Sequence, residues 1–277
     1  QLLDTDTREV FAKGNCERIG SDMGIFGHSE NGGAKQTEEA PFPDHRSAIA
    51  RVLEELEKTD FTIDGIGHRI VQGGWHFDDS AVVDDEVMAK ILEVAPLAPL
   101  HNYGEAAAIE YCREKYPELP NVAVFDTSFH MTMPEVAYTY ALPKDVCDKY
   151  HVRKYGAHGT SHRYEWMMAK EILGSRCHRL LSCHLGNGAS LAAIEDGVCR
   201  DTTMGLTPLD GLMMGTRCGS IDPATVCYLQ REGGYSYQEV DDMMNKQSGL
   251  LAISGISNDA RDTHCRYYCC LAVSPPC

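Results

Sequence analysis

The chain has no surplus of positive charge. Its 25 Lys and Arg stand against 41 Asp and Glu, a formal net charge of -16. Such a balance gives no attraction to polyphosphate backbones or anionic membranes, so nucleic acid is not an expected partner. No apolar run approaches the roughly 20 residues of a membrane-spanning helix, and no charged-then-apolar leader opens the chain. Cysteine is plentiful, at 12 residues, but it lacks pattern. A disulfide scaffold belongs to short, cysteine-dense secreted chains, and the eight cysteines from Cys16 to Cys227 are scattered singly without metal-ligand spacing. Free thiols, a soluble protein and a cytoplasmic location are the expectations. There is no internal repeat and no initiator methionine; Gln1 to Asp6 reads as the end of a strand entering a turn, with an element expected before it.

What is present is enough hydrophobic residue, 43% of 277, for one large core or, as expected here, two domains with a cleft between them. With so negative a chain, the counter-charges of any anionic substrate must sit locally, so single Arg and Lys positions matter. Pro43-Asp44 offers a helix start, and Ile49, Val52, Leu53 and Leu56 then share one helical face that ends near Lys58. Phe61 to Gly74 reads as a β-rich run and Asn121 to Phe125 as a short buried strand, each delivering polar residues at its end. Leu180 to Ala193 suggests a hairpin with a glycine-rich turn, and Gly104 to Lys115 a helix. Strands alternating with helices point to an α/β class, with a domain boundary near His130 to Pro134. Composition changes sharply only from Cys265 to Cys277, which holds four cysteines, two tyrosines and a Pro-Pro pair.

Several segments carry chemistry. His68-Arg69-Ile-Val-Gln-Gly-Gly74 sets a planar, permanently charged guanidinium at a strand end beside two glycines that allow close approach to the backbone. An Arg there suits a carboxylate or phosphate, and a salt-bridged surface Arg is the ordinary alternative. Phe125-Asp126-Thr127 places a carboxylate at a strand terminus, where ligand-facing groups of open α/β sheets often lie. Tyr155-Gly-Ala-His158-Gly-Thr-Ser-His162 spaces two histidines like a helical metal pair, but Gly156 and Gly159 argue against a helix and hence against metal. His184-Leu-Gly-Asn-Gly188 is either a turn whose N–H groups cradle phosphate oxygens or a plain tight hairpin, and glycine spacing leaves both open. Met214-Gly-Thr-Arg217 holds a second Arg among small residues, ahead of a helix start at Asp222-Pro223. Two arginines, two histidines and a glycine-rich loop together match in-line phosphoryl transfer, which needs positive charge and donors around a spreading negative charge.

Seven longer motifs stand in one order: His68-Arg-Ile-Val, Ala98-Pro-Leu-His-Asn102, Val124-Phe-Asp-Thr, His158-Gly-Thr-Ser-His, His184-Leu-Gly-Asn-Gly-Ala-Ser, Asp201-Thr-Thr-Met-Gly-Leu-Thr-Pro208 and Gly211-Leu-Met-Met-Gly-Thr-Arg217. On these, from Gln1 to about Asp262, the chain resembles the acetate kinases of the acetate and sugar kinase, Hsc70 and actin superfamily. The resemblance implies a two-lobed, ribonuclease H-like (actin-like ATPase) α/β fold. Residues 1–130 would be the N-terminal lobe without its first strand, 131–264 an incomplete nucleotide-binding lobe, and 265–277 a tail foreign to the family. It implies magnesium-assisted transfer from ATP to acetate, and a homodimer formed through the second lobe, with Asp222 to Gly249 keeping part of that surface.

Residue by residue, the resemblance gives the acetate pocket to Arg69, Val71, Leu100 and Pro208, and catalysis to Asp126, near the metal, with His158 and Arg217. His184, Leu185, Gly186, Asn187 and Gly188 would hold the ATP phosphates, and Asp259, Ala260 and Arg261 would contact the adenosine. No metal ligand is assigned within the chain. The family's Asn, Ser and Lys cluster would precede Gln1, and its Gly-rich segment and metal-binding Glu would follow Asp262, so little or no activity is expected of residues 1–277 alone. Propionate kinase and an inactive fragment are the alternatives. The pattern is broken at Gln72 for His, Tyr103 for Pro, Ala157 for Phe, Asp210 for Glu and Ala260 for Phe or Met. Ala157 is expected to loosen the wall beside His158.

Overall fold

The computed structural model describes residues 1–99 and 101–263. They form two compact units: residues 1–68, 82–92, 99 and 101–123 in the first, and 69–81, 93–98 and 124–263 in the second. Leu100 and the stretch 264–277 lie outside the described residues.

In the first unit β1 (Leu2–Leu3), β2 (Val10–Glu17), β3 (Gly24–Glu30) and β4 (Gln36–Ala40) make a four-stranded antiparallel sheet in that order. Only β3, in the middle, buries a clear face, and its Phe26 packs with Phe42, Ala48 and Val52. Helix α1 (His45–Leu56) begins where Pro43-Asp44 predicts it. The Asp44 carboxylate accepts the Ser47 backbone N–H at 2.7 Å while the Ser47 hydroxyl reaches the Asp44 backbone, a capping box that satisfies two otherwise orphaned donors. The chain continues through β5 (Ile66–Ile70), β6 (Ala81–Val82), α2 (Asp85–Val94), α3 (Asn102–Lys115) and β7 (Asn121–Phe125). Of the β-rich run from Phe61 to Gly74, only Ile66–Ile70 is strand. Ala106, Ile109 and Cys112 are the buried stripe of α3. A three-stranded sheet runs β5-β7-β6. The chain changes unit inside β5, β6, α2 and β7 and once in the loop before α3, and the first unit's last residue is Ala123, so the two units interleave along the chain.

The second unit holds α4 (Glu135–Tyr138), α5 (Lys144–Tyr150), α6 (Gly159–Leu173), β8 (Arg179–Leu185), β9 (Ala189–Glu195), β10 (Val198–Thr202), α7 (Ala224–Gly233), α8 (Tyr237–Lys246) and α9 (Gly249–Ser254). An antiparallel sheet runs β10-β9-β8. Ala192 and Ile194 alternate inward from β9 and pack with Phe129, Met133 and Cys199, closing a core with Trp166 and Leu180 at its edge. The hairpin pairs Arg179 with Glu195 through to Leu185 with Ala189, leaving Gly186 to Gly188 as its turn.

Helix α6 corrects the sequence reading. Gly156 and Gly159 argue against a helix, yet His158 caps one with a left-handed φ of 59° and Gly159 is its first residue. Glycine is costly in a helix interior, not at the first position. A side-chain carbon at Gly159 would stand 2.1 Å from the Asp126 carbonyl oxygen, so only glycine lets the helix start there. His158 thus precedes the helix while His162 sits in its first turn. Among the described residues, no helix is long and apolar enough to cross a membrane, and the eight cysteines from Cys16 to Cys227 are free thiols.

Candidate active site

Two strand ends and a helix start bring the first group together within the second unit. Asp126 follows β7 and is fully buried, its backbone N–H bonded to the Ile70 carbonyl at 2.8 Å. Its carboxylate takes a two-pronged pair from Arg69 at the end of β5, Nε to Oδ1 at 3.1 Å and Nη2 to Oδ2 at 2.5 Å. The Thr160 hydroxyl adds a third bond to Oδ1 at 2.6 Å, and the Gly159 N–H donates to the Asp126 carbonyl. Arg69 itself is 56% exposed at the side chain, so a cation is displayed to solvent while its buried counter-ion fixes the angle. The Gly73 N–H donates to the Thr127 hydroxyl and the Gln72 side chain accepts from the Gly74 N–H, which pins the two-glycine turn after Arg69. Val71 is buried beside Arg69 in sequence.

A histidine cluster forms the next layer. His158 and His184 stack with ring centroids 3.9 Å apart, His158 Nδ1 lies 2.8 Å from Ser190 Oγ, and His184 Nδ1 lies 3.1 Å from Ser161 Oγ. His162 is completely buried between Ser182 and Ser190, and His130 between Cys199 and the Ala157 carbonyl. Burial, then the neighbouring His184, hold His158 down to about 4. Burial likewise takes His130 and His162 down to about 4. All three are therefore neutral imidazoles at physiological pH. Ala157 packs against Ala189, Met204 and Met214 and is 2% exposed, so the wall beside His158 is closed by methionine and not loosened.

Three segments distant in sequence meet around the hairpin turn. The Gly215 N–H donates to the Asn187 carbonyl at 3.1 Å, and Asn258 Nδ2 donates to Asn187 Oδ1 at 3.2 Å. A side-chain carbon at Gly188 would stand 3.3 Å from Arg217 Nη1 and 3.5 Å from His158 Nε2, so both groups border the turn. The Gly186 N–H is held by the Gly188 carbonyl at 2.9 Å, which removes one donor from any anion cradle. Leu185 is 71% exposed. Arg217 is half-buried; Nη1 donates to the Pro208 carbonyl at 3.0 Å, and it has no carboxylate partner among the described residues. Burial pulls its guanidinium below the ordinary value. Its loop is fastened by α8, α9 and Ser248 between them: the Leu250 and Leu251 N–H groups donate to the Met214 and Gly215 carbonyls, the Ser248 N–H to that of Thr216, and the Cys218 N–H to that of Met244. Asp259 and Arg261 pair with each other on the surface, and their pairing draws the Asp259 carboxyl down to about 2. Ala260 lies between them.

The structure thus gathers His158, Gly188, Arg217, Pro208 and Asn258 at one turn, and Arg69 with Asp126 at a pair of strand ends. Thr160, Ser190 and Gly249, to which sequence reasoning gave no role, also support these groups, as does His162, which the sequence offered only as half of a histidine pair. A further group of metal-binding type, His28, Glu30 and Glu55, lies in the first unit, where Glu55 is already held by Arg51 and Lys58.

The profile of the Acetokinase family matches residues 1–268, slightly past the point near Asp262 where the sequence motifs end. The acetate kinase 2 of Clostridium perfringens (strain 13 / Type A) is 48% identical over 271 residues, covering 95% of this chain and 68% of that protein. Among solved structures, acetate kinase from Porphyromonas gingivalis is similar with a TM-score of 0.87 and 40% identity, covering 96% of this chain and 69% of that one. A propionate kinase from Francisella tularensis subsp. tularensis SCHU S4 is similar with a TM-score of 0.91 and 39% identity, over 96% and 69%.

Proposed function

Because this chain belongs to the acetokinase family, with its α/β actin-like ATPase fold, we propose that it transfers the γ-phosphoryl group of ATP to acetate, reversibly, giving acetyl phosphate and ADP. The observation that carries this reading is Arg217. A half-buried guanidinium without a carboxylate among the described residues, beside a glycine turn and a histidine, is a site built for an anion that arrives with a ligand.

Acetate needs no base to become a nucleophile, since simple carboxyls titrate near ~4. Arg69 holds the acetate carboxylate, and Val71 and Pro208 face its methyl group, with Leu100 assigned from the resemblance alone. Arg217 and His158 stand where charge spreads over the transferring phosphoryl, and the His184 to Gly188 turn holds the remaining phosphates. Asp259 to Arg261 lies next to Asn258, which touches that turn, in keeping with an adenosine contact. Asp126 orders the centre and removes no proton.

Magnesium would arrive with the nucleotide. A carboxylate has about four lone-pair sites, three on Asp126 are taken by Arg69 Nε, Arg69 Nη2 and Thr160, and Asp126 is fully buried, so a hydrated ion would be held chiefly by phosphate oxygens, near Asp126 and not ligated by it. Held so, it would neutralise phosphate charge.

Propionate is the second candidate acceptor, because a propionate kinase shares the fold as closely. One methylene changes pocket binding by only about 1–3 kcal/mol. Comparing kcat/KM for acetate, propionate and butyrate separates them, and a preference for butyrate contradicts a small pocket at Val71 and Pro208. The exposed Tyr228, Tyr235 and Tyr237, on α7, in the loop after it and at the start of α8, support a homodimer surface in 222–249, tested by the molar mass in solution.

A further inference from the structure

Five side chains of the second unit form one hydrogen-bonded file. The Ser182 hydroxyl on β8 donates to Glu165 on α6. Ser182 Oγ lies 2.6 Å from His162 Nδ1, His162 Nε2 lies 2.9 Å from Ser190 Oγ on β9, and Ser190 Oγ lies 2.8 Å from His158 Nδ1. Ser182, His162 and Ser190 are 2%, 0% and 0% exposed, so each must find its partners within the file.

The direction of the file is fixed at its Glu165 end. A carboxylate accepts only, a hydroxyl has one proton, and a neutral imidazole has one N–H. Ser182 gives its proton to Glu165 and therefore accepts from His162 Nδ1–H. His162 Nε2 is then bare and accepts the Ser190 proton. Ser190, its proton committed, accepts from His158 Nδ1–H. The Nε2 atom of His158, which borders Gly188 and Arg217, is left as a lone pair.

We propose that Glu165 is a positioning residue for the transfer site: through Ser182, His162 and Ser190 it holds His158 as the Nδ1–H tautomer and presents Nε2 to the Gly188 turn without a proton. The functional consequence rests on the reading of His158 as a group that faces the phosphoryl. A lone pair repels a phosphate oxygen but accepts a proton, so one proton passes from solvent to Nε2 when a phosphoryl group settles there. The resulting imidazolium keeps its Nδ1–H on Ser190, and no covalent bond to His158 forms. The charged and titratable groups facing it are His184, Asp126, Arg69, His162 and Arg217, and Glu165 adds a negative charge at the far end of the file.

The test is histidine nitrogen NMR on the 277-residue chain labelled with 15N-histidine, without ligand. Two-bond nitrogen–proton correlations distinguish the tautomers directly. His158 and His162 are expected to show the Nδ1–H pattern with an unprotonated Nε2. Glu165→Gln, whose amide can donate to Ser182, is expected to abolish that pattern at both rings in favour of Nε2–H or a mixture, and Ser182→Ala is expected to leave a mixture at His162. An Nε2–H His158 in the unsubstituted chain overturns the proposal even if neither variant folds. A folded Glu165→Gln protein with unchanged tautomers also overturns it. The measurement needs no turnover, so a failed kinase assay counts against the proposed function and leaves the tautomer result standing.

Discussion

Arg217 and Arg69 are both arginines beside glycines, and their surroundings give them opposite tasks. Arg217 lacks a carboxylate among the described residues, so its charge is available to a phosphoryl group and most needed as negative charge develops. In a version extended at both ends by the clostridial relative's segments, Arg217→Ala or His158→Ala is expected to lower kcat by about 10²–10³-fold with little change in KM. Steady-state kinetics check this, and a change confined to KM reverses the assignment. Arg69 is tied to the buried Asp126 carboxylate. Arg69→Ala is expected to raise the KM for acetate and, by leaving a buried acceptor short of donors, to cost about 1–3 kcal/mol of stability; kinetics and thermal unfolding run together separate the two effects. Arg69, Asp126, His158 and Arg217 stand out as candidates in the sequence because each sits near glycines or at the end of an apolar run. Thr160 and Ser190 were not, since they act on groups 34 and 32 residues away, Asp126 and His158, and a single sequence shows no such pairing.

At the scale of elements, the helix start at Asp44 and the hairpin around Gly186 to Gly188 could be read directly, because capping and tight turns are local chemistry. The antiparallel sheet of β2 to β4 could not: β2 and β4, which flank β3, are largely exposed on both faces and carry no period-2 pattern. Helix α8 carries its start signal in Ser236-Tyr-Gln-Glu239, a capping box that the structure forms. Helix α9 matters through its first residue. Gly249 has a φ of 66°, and a side-chain carbon there would lie 2.2 Å from the Met214 carbonyl oxygen and 2.8 Å from that of Arg217. Gly249→Ala is therefore expected to push the Arg217 loop out of place, lowering kcat at least ~10-fold and stability by about 1–3 kcal/mol. Normal kcat in that variant would show that the loop is not held from α9.

For the molecule as a whole, stability is coupled to pH through buried neutral histidines. His130 and His162 have no exposure and are held near 4, against an ordinary 6.5. Below 6.5 the unfolded chain binds protons that the folded one refuses, so stability is complete above that pH and declines as pH falls towards about 4. The slope approaches ~1.4 kcal/mol per pH unit for each such histidine, and urea unfolding between pH 7 and pH 4.5 measures it. A flat profile would mean the cluster accepts protons without unfolding. The family was legible from motifs in order, but the interleaving of two compact units was not, because four of its five changes of unit fall within elements, where composition gives no sign. The chain spans 68% of the length of its clostridial relative, so the decisive experiment uses that extended version beside residues 1–277 alone. Hydroxamate detection of acetyl phosphate from ATP, magnesium and acetate is expected to show turnover in the extended version, reduced at least ~10²-fold by Arg217→Ala. Absence of acetyl phosphate from the extended version, or undiminished turnover after Arg217→Ala, would contradict the proposed site.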